Sequence, residues 1–361
     1  VGRFDAPDVS YVTGFGVEAW RERLVADGFA AYRADQVLSW VYGKRVSSYA
    51  EMTNIPRAER DVLAVRYPLP VLEERAKLCS RDGTVKWLLG LSDGHAIETV
   101  LMRHRYGCSV CVTTQVGCRI GCTFCASTIG GLQRNLGAGE IVAQVLHVQR
   151  MLDETKERVS SIVVMGSGEP FENFDALVTF LSIMTHADGM AIGARHITVS
   201  TSGIVPRMID FARLRSQVTL ALSLHAPDDA LRTQLMPINR AYPLADVMDA
   251  AKYYIAHTGR RLTIEYALMR DVNDRVAHAE ALAQLLKGML VHVNLIPVNT
   301  VRERAYERTS PADVQAFVAV LRRRGINTTV RREQGHDIAA ACGQLRASVL
   351  ASGAVRDAVA E

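Results

Sequence analysis

A chain of 361 residues, 48% of them hydrophobic and only 22% charged, can bury a large core, which excludes the disordered and fibrous classes. Its formal net charge of +4 is compatible with a nucleic-acid partner without requiring one. No run approaches the roughly 18 uninterrupted apolar residues of a membrane span, and Val1-Gly2-Arg3-Phe4-Asp5 lacks the layout of a signal peptide, so a cytoplasmic protein without a membrane partner is expected.

Residues 17–70 read as short helices, with Trp20, Leu24, Val37, Leu38, Val41 and Tyr42 at helical spacing and a break at Asn54-Ile55-Pro56. They define a small helical accessory domain over 1–70, a candidate RNA-binding unit. Its nine Lys/Arg are balanced by nine Asp/Glu, so charge alone gives it no affinity for phosphates. A β-rich bridge follows over 71–107, with extended runs at 77–80, 86–91 and 95–102 around an Arg81-Asp82-Gly83-Thr84 turn.

From Cys108 the rhythm changes to strands alternating with amphipathic helices. Strands are predicted at 109–114, 161–165, 196–201, 218–224, 262–268 and 291–297, and helices at about 138–152, 174–186, 204–214, 244–258 and 276–288. Six β-then-α units imply an α/β fold: parallel strands closed or partly closed into a (β/α)6 barrel over 108–347, with the active site at the strand C-terminal ends. A seventh extended run at 327–332 precedes a last helix from about 338, and 348–361 form a C-terminal tail.

Five of the seven cysteines fall between Cys108 and Cys125, which favours metal or redox chemistry over disulfides in a reducing compartment. Cys118-Arg119-Ile120-Gly121-Cys122-Thr123-Phe124-Cys125 places three thiols in one loop after the first barrel strand, with Gly117 and Gly121 permitting the tight path. Iron-sulfur clusters are normally held by four thiolates. Three leave one iron open to a chelating ligand. A zinc knuckle completed by a distant residue is the competing reading, although no second cysteine pair is present.

Beyond this loop stand Gly166-Ser167-Gly168-Glu169-Pro170, Ser200-Thr201-Ser202-Gly203, Ser223-Leu224-His225 and Ala341-Cys342-Gly343-Gln344-Leu345. With these motifs in order, the chain resembles the RlmN/Cfr radical S-adenosylmethionine (SAM) methyltransferases from about residue 15 to 347, and most of all their RlmN branch. The resemblance implies a radical SAM partial barrel and one 4Fe-4S cluster coordinated by Cys118, Cys122, Cys125 and SAM. It assigns SAM binding to Gly168, Glu169, Ser200, Ser223, Leu224, His225 and Asn299. Read by itself, Gly168-Glu169 leaves a carboxylate free at the barrel rim for the SAM amino group.

The resemblance also implies the reaction. Cys342 takes a methyl group from one SAM, a second SAM yields the deoxyadenosyl radical, and the S-methyl carbon is joined to an adenine ring. Cys111 then releases the RNA by forming a transient disulfide, and Glu98 stands at the position of a candidate proton acceptor. Read alone, Cys111 and Cys342 would be buried inert thiols and Glu98 a solvated strand carboxylate. Cys108 reads as a bystander.

The implied product is 2-methyladenosine at adenosine 2503 of 23S rRNA and at adenosine 37 of tRNA. An electron donor such as a flavodoxin or ferredoxin is implied as a partner, and the chain is expected to act as a monomer. Cfr-like methylation at C8 is the alternative within the family, against which Pro170 is a single-residue argument; a non-catalytic zinc RNA-binding protein is the alternative outside it. Arg119, Arg134, Arg322-Arg323-Arg324 and Arg331-Arg332 are expected to form a basic surface around the barrel mouth.

Overall fold

Three helices open the fold: α1 (Val17–Ala26), α2 (Tyr32–Leu38) and α3 (Arg57–Arg66). The structure is a computed structural model, and it describes residues 4–6, 9–299, 304–332 and 334–338. The apolar positions of these helices converge on Trp20, whose ring meets Tyr67 edge-on at 5.0 Å. The unit is tied to the following domain by Arg45 to Asp153 at 2.5 Å and by Arg150, which donates to the Arg45 carbonyl at 2.7 Å.

Ten strands then form one sheet. Antiparallel β1 (Glu73–Cys79), β2 (Val85–Gly90), β3 (Ala96–His104) and β4 (Gly107–Cys111) pair in sequence order. A short hairpin follows, β5 (Gln115–Val116) with β6 (Arg134–Asn135), and then the long helix α4 (Ala138–Glu154). Parallel pairing begins where β7 (Val159–Val164) lies beside β4. The chain continues as α5 (Phe174–Thr185), β8 (Ile197–Thr201), α6 (Val205–Arg213), β9 (Thr219–Ser223), α7 (Asp229–Leu235), α8 (Leu244–Thr258), β10 (Leu262–Leu268), α9 (Val276–Leu285), β11 (Val291–Pro297), α10 (Pro311–Arg323) and β12 (Thr328–Val330).

The sheet order is β1-β2-β3-β4-β7-β8-β9-β10-β11-β12, parallel from β4 onward. The parallel strands carry β-branched residues at successive positions, as in Val159-Ser160-Ser161-Ile162-Val163-Val164, because helices cover their outer faces. Residues expected to form a separate bridge therefore extend the barrel sheet itself. The barrel is partial: among the described residues no ladder joins β12 to β1. Polar contacts span that seam instead. The Gly335 amide donates to Asp82 at 2.9 Å, and Asp337 accepts from the Ser80 hydroxyl and the Arg81 amide.

Several expectations shift. The first barrel strand ends at Cys111 rather than 114, because the Thr113 amide turns away to Gln144 Oε1 at 2.8 Å and that of Thr114 to the Ser167 carbonyl. Two helices went unread. In α7 the Asp228 carboxylate caps the Leu231 amide, and in α10 the Ser310 hydroxyl caps that of Asp313, with Pro311 in the first turn. The helix expected from about 338 lies, beyond Ile338, outside the described residues, as do Cys342 and the tail. No helix among the described residues is long and apolar enough to cross a membrane.

Arg134 is a correction. Far from lining a basic surface, it is buried, with its guanidinium bonded to both Glu140 oxygens at 2.8 and 2.9 Å and to Asp93 at 2.5 Å. It pins the β5–β6 hairpin to the start of α4. Breaking a buried pair leaves uncompensated charge, so Arg134→Met should cost about 3 kcal/mol or more. Urea unfolding followed by circular dichroism measures the loss.

Candidate active site

A cavity of about 380 Å³ opens at the C-terminal ends of the parallel strands. Cys118, Cys122 and Cys125 line it from one side, and Glu98, Val100 and Cys111 from the antiparallel wall. Gly168, Glu169, Ser200, Ser223, His225 and Asn299 complete the rim between them. Leu224 differs from its neighbours: its side chain is fully buried in the core, and its amide donates to the Glu265 carbonyl at 3.0 Å.

The three-cysteine loop is held from outside. Gly117 and Gly121 adopt φ of 82° and 79°, which other L residues avoid. Thr128 Oγ1 donates to the carbonyls of Cys122 and Cys125, and Arg304 reaches the Cys125 carbonyl at 3.2 Å and Thr128 Oγ1 at 2.8 Å. Thr123 bonds the Leu235 carbonyl at the end of α7 and the Tyr306 hydroxyl at 2.6 Å. Arg304 and Tyr306 were not read from the sequence, since nothing local marks a clamp contributed 180 residues downstream.

Burial pushes the Cys118 thiol up to about 12 and that of Cys122 well above its ordinary value, and each is raised further by its cysteine neighbours. Such thiols ionise only against a strongly positive centre, which is what an iron-sulfur cluster offers. Among the described residues no group of three or more His, Cys, Asp or Glu side chains is placed to hold a metal ion. The three thiols of the loop all line the cavity, a donor type that iron-sulfur clusters take.

Gly168 has φ of 105°, and a Cβ there would stand 2.6 Å from Gln115 Cβ and 2.9 Å from the Gln115 amide nitrogen. This close approach lets the Glu169 amide donate to Gln115 Oε1 at 2.8 Å. The Glu169 carboxylate is not free at the rim as expected. It is buried, accepting from the Thr201 hydroxyl at 2.7 Å, the Ser202 amide at 2.7 Å and the Phe171 amide at 3.0 Å. Burial raises its proton affinity while these donors oppose the rise. Gln115 and Thr201 thus belong to the site and were missed, their partners being distant in sequence.

His225 follows β9 with a left-handed φ of 61°, held by Asn273, whose Nδ2 donates to the His225 and Ala267 carbonyls. Its Nδ1 accepts the Ala267 amide at 3.0 Å, so the neutral ring carries its proton on Nε2. Burial, assisted by the charge of Arg232, lowers its pKa to about 3. Phe124 meets the imidazole edge-on at 5.0 Å. Ser200 and Ser223 lie side by side with their hydroxyls 3.3 Å apart, and Asn299 Oδ1 accepts from Arg308 at 3.2 Å.

On the opposite wall, Glu98 is buried and ion-paired with Lys86 at 2.9 Å, a partner not anticipated from the sequence. Cys111 sits across from Val100 on β3, and burial raises its thiol while the charge of Arg331 opposes this. Arg331 and Arg332 line the cavity mouth and are exposed, as expected of phosphate contacts. Arg119 is paired with Glu172 at 2.8 Å, and Arg323 and Arg324 with Glu280, so the expected basic surface is narrower than the arginine count suggests.

The site is a strand-end barrel cavity lined by three cysteines and a polar rim, and comparison with known proteins gives its class. The profile of the Radical SAM superfamily matches residues 112–286, and that of the ribosomal RNA large subunit methyltransferase N-terminal domain matches residues 13–67. A radical SAM methyltransferase structure from Sphaerobacter thermophilus superposes with a TM-score of 0.90 at 46% identity, over 92% of this chain and 98% of that one. The chain is a radical SAM enzyme, a class that implies a 4Fe-4S cluster and SAM.

The relatives narrow the class. A protein of Geobacillus thermodenitrificans named "Probable dual-specificity RNA methyltransferase RlmN" is 62% identical over 91% of this chain and 90% of its own length. One of the same name from Bacillus subtilis is 58% identical over 93% of each. The chain belongs to the RlmN family of radical SAM RNA methyltransferases.

Two outcomes test the site as built. Gly168→Ala forces both a left-handed alanine and a backbone clash, and should cost about 1–3 kcal/mol in thermal unfolding. For His225, the unfolded ring titrates near 6.5 and the folded one at about 3. The unfolded state thus binds more protons between these values, and stability that is full above 6.5 is lost as pH falls. His225→Gln should flatten that part of the stability profile, measured by urea unfolding at stepped pH.

Proposed function

We propose that this enzyme methylates C2 of adenosine 2503 in 23S rRNA and adenosine 37 in tRNA, using two SAM molecules per turnover and a methyl group carried on Cys342. The observation that carries this reading is the facing of two walls across one cavity: the three cluster cysteines and the SAM-side rim on one, Cys111 and Glu98 on the other. The names of the relatives, which call them dual-specificity RNA methyltransferases, support two RNA substrates.

The bound cluster supplies the electron that cleaves SAM, opening radical chemistry at a ring carbon that displacement cannot reach. The remaining work falls to the chain. Cys118, Cys122 and Cys125 hold the cluster; Ser200, Ser223, Asn299 and the Nε2–H of His225 offer hydrogen bonds to the sugar, carboxylate and adenine of SAM. Glu169 acts on SAM chiefly by fixing the loops around it, since three donors already occupy its carboxylate.

Cys342, as thiolate, takes the first methyl group and delivers it as S-methylcysteine to the ring. Glu98 accepts the C2 proton. The Cys111 thiolate attacks the Cys342 sulfur: an S–S bond forms, the bond from the Cys342 sulfur to the transferred carbon breaks with its electron pair left on that carbon, and protonation there completes the methyl group and frees the RNA. The target adenosine is extruded from its stack to enter the cavity. The exposed Arg331 and Arg332 contact the RNA around that opening, and the helical unit at 1–70 offers a second RNA-binding surface.

Digestion of 23S rRNA and tRNA from a host that lacks its own enzyme, before and after supplying this one, should yield 2-methyladenosine by mass spectrometry. An exclusive 8-methyladenosine product would refute the reading. Cys342→Ala should still cleave SAM under reduction while methylation falls by about 1,000-fold or more, as expected when a covalent nucleophile is removed. Cys111→Ala should leave RNA covalently attached to the protein, visible as a shifted band on a denaturing gel.

A further inference from the structure

The antiparallel wall carries a charged pair whose purpose packing does not explain. Lys86 on β2 is opposite Val100 on β3, and Glu98 opposite Leu88. With side chains alternating along a strand, Lys86, Glu98 and Val100 share one face, and Cys111, opposite Val100 on β4, shares it too. Glu98, Val100 and Cys111 line the cavity; Lys86 lies behind them, wholly shielded, with Nζ 2.9 Å from Glu98 Oε2. Burying two ions merely for stability is a poor bargain, since apolar side chains of similar size often do as well.

We propose that Lys86 is a positioning residue for the proton acceptor: its ammonium, 2.9 Å from Glu98 Oε2, fixes the Glu98 carboxylate on the cavity wall so that it can take the proton from the substrate ring. The inference rests on the reading of Glu98 as that acceptor. In the step, the C–H bond of the ring breaks, its electron pair stays with the ring, and the proton passes to a Glu98 oxygen. The ammonium behind it holds the carboxylate in place without occupying the cavity. Among the described residues, the Cys111 thiol from β4 and the guanidinium of Arg331, which follows β12, line the same cavity. Arg331 is exposed and therefore water-screened, whereas Lys86 is shielded at the carboxylate.

The test uses the full-length, cluster-loaded enzyme as Lys86→Met, Lys86→Arg, Glu98→Gln and the Lys86→Met/Glu98→Gln double variant, with SAM cleavage and RNA methylation followed in each. In Lys86→Met, SAM cleavage should stay near wild type while methylation falls about tenfold or more, and Lys86→Arg, which restores a cation behind Glu98, should recover most of the loss. Methylation by Lys86→Met at the wild-type rate, alongside an inactive Glu98→Gln, overturns the role of Lys86 alone. Methylation by Glu98→Gln at the wild-type rate overturns the acceptor reading beneath it. Thermal unfolding guards against a folding defect: the double variant should be more stable than Lys86→Met, since it leaves no unpaired carboxylate behind. A double variant no more stable than the single one refutes the pairing.

Discussion

The carboxylate of Glu169 is the joint on which the site depends. Strands of a parallel sheet end in loops with no obligation to meet, and here one buried anion ties three of them together. Its amide is bonded to Gln115 beside the cysteine loop, and its oxygens accept from Phe171 in its own loop and from Thr201 and Ser202 at the end of β8. An anion buried without such donors would be prohibitively costly, so the loops are constrained to supply them. Gly168 is required by the same joint, because any side chain there would strike Gln115.

Around this joint the molecule divides its labour between the two halves of one sheet. The parallel half ends in the hydroxyls, imidazole and amide suited to a nucleoside ligand. The antiparallel half contributes a wall with a thiol and a carboxylate. Because both halves are hydrogen-bonded into the same ten strands, the distance between them is set by sheet geometry rather than by the packing of separate domains.

Much of this was legible in the sequence. Continuous β-branched runs marked the parallel strands, the bounds at 262–268 and 291–297 matching those observed, and the spacing of Cys118, Cys122 and Cys125 marked the cluster loop. Most of the rim residues expected at strand ends line one cavity. What escaped was pairing at long range. Only the register of β2 against β3 places Lys86 behind Glu98; Arg134 reads as a surface cation until α4 brings Glu140 to it; and the grip of Asn273 on the backbone of His225 has no local mark in the sequence. Leu224 shows the converse: a residue between two rim residues on a strand end points the other way, into the core.

The seam between β12 and β1 gives the barrel a mechanical grain. Everywhere else around the wall, neighbouring strands are joined by ladders that part only cooperatively. Among the described residues the link at the seam is a handful of hydrogen bonds accepted by Asp82 and Asp337, each worth about 1 kcal/mol net. Both carboxylates are held below their ordinary range, Asp82 at about 2, by the donors they engage, so the link is intact at neutral pH and weakens only in strong acid. A vessel with one weak stave is cheapest to open there, because among the described residues no ladder has to part along this line. The fold thus has a built-in direction of least resistance, set by the edge between β12 and β1.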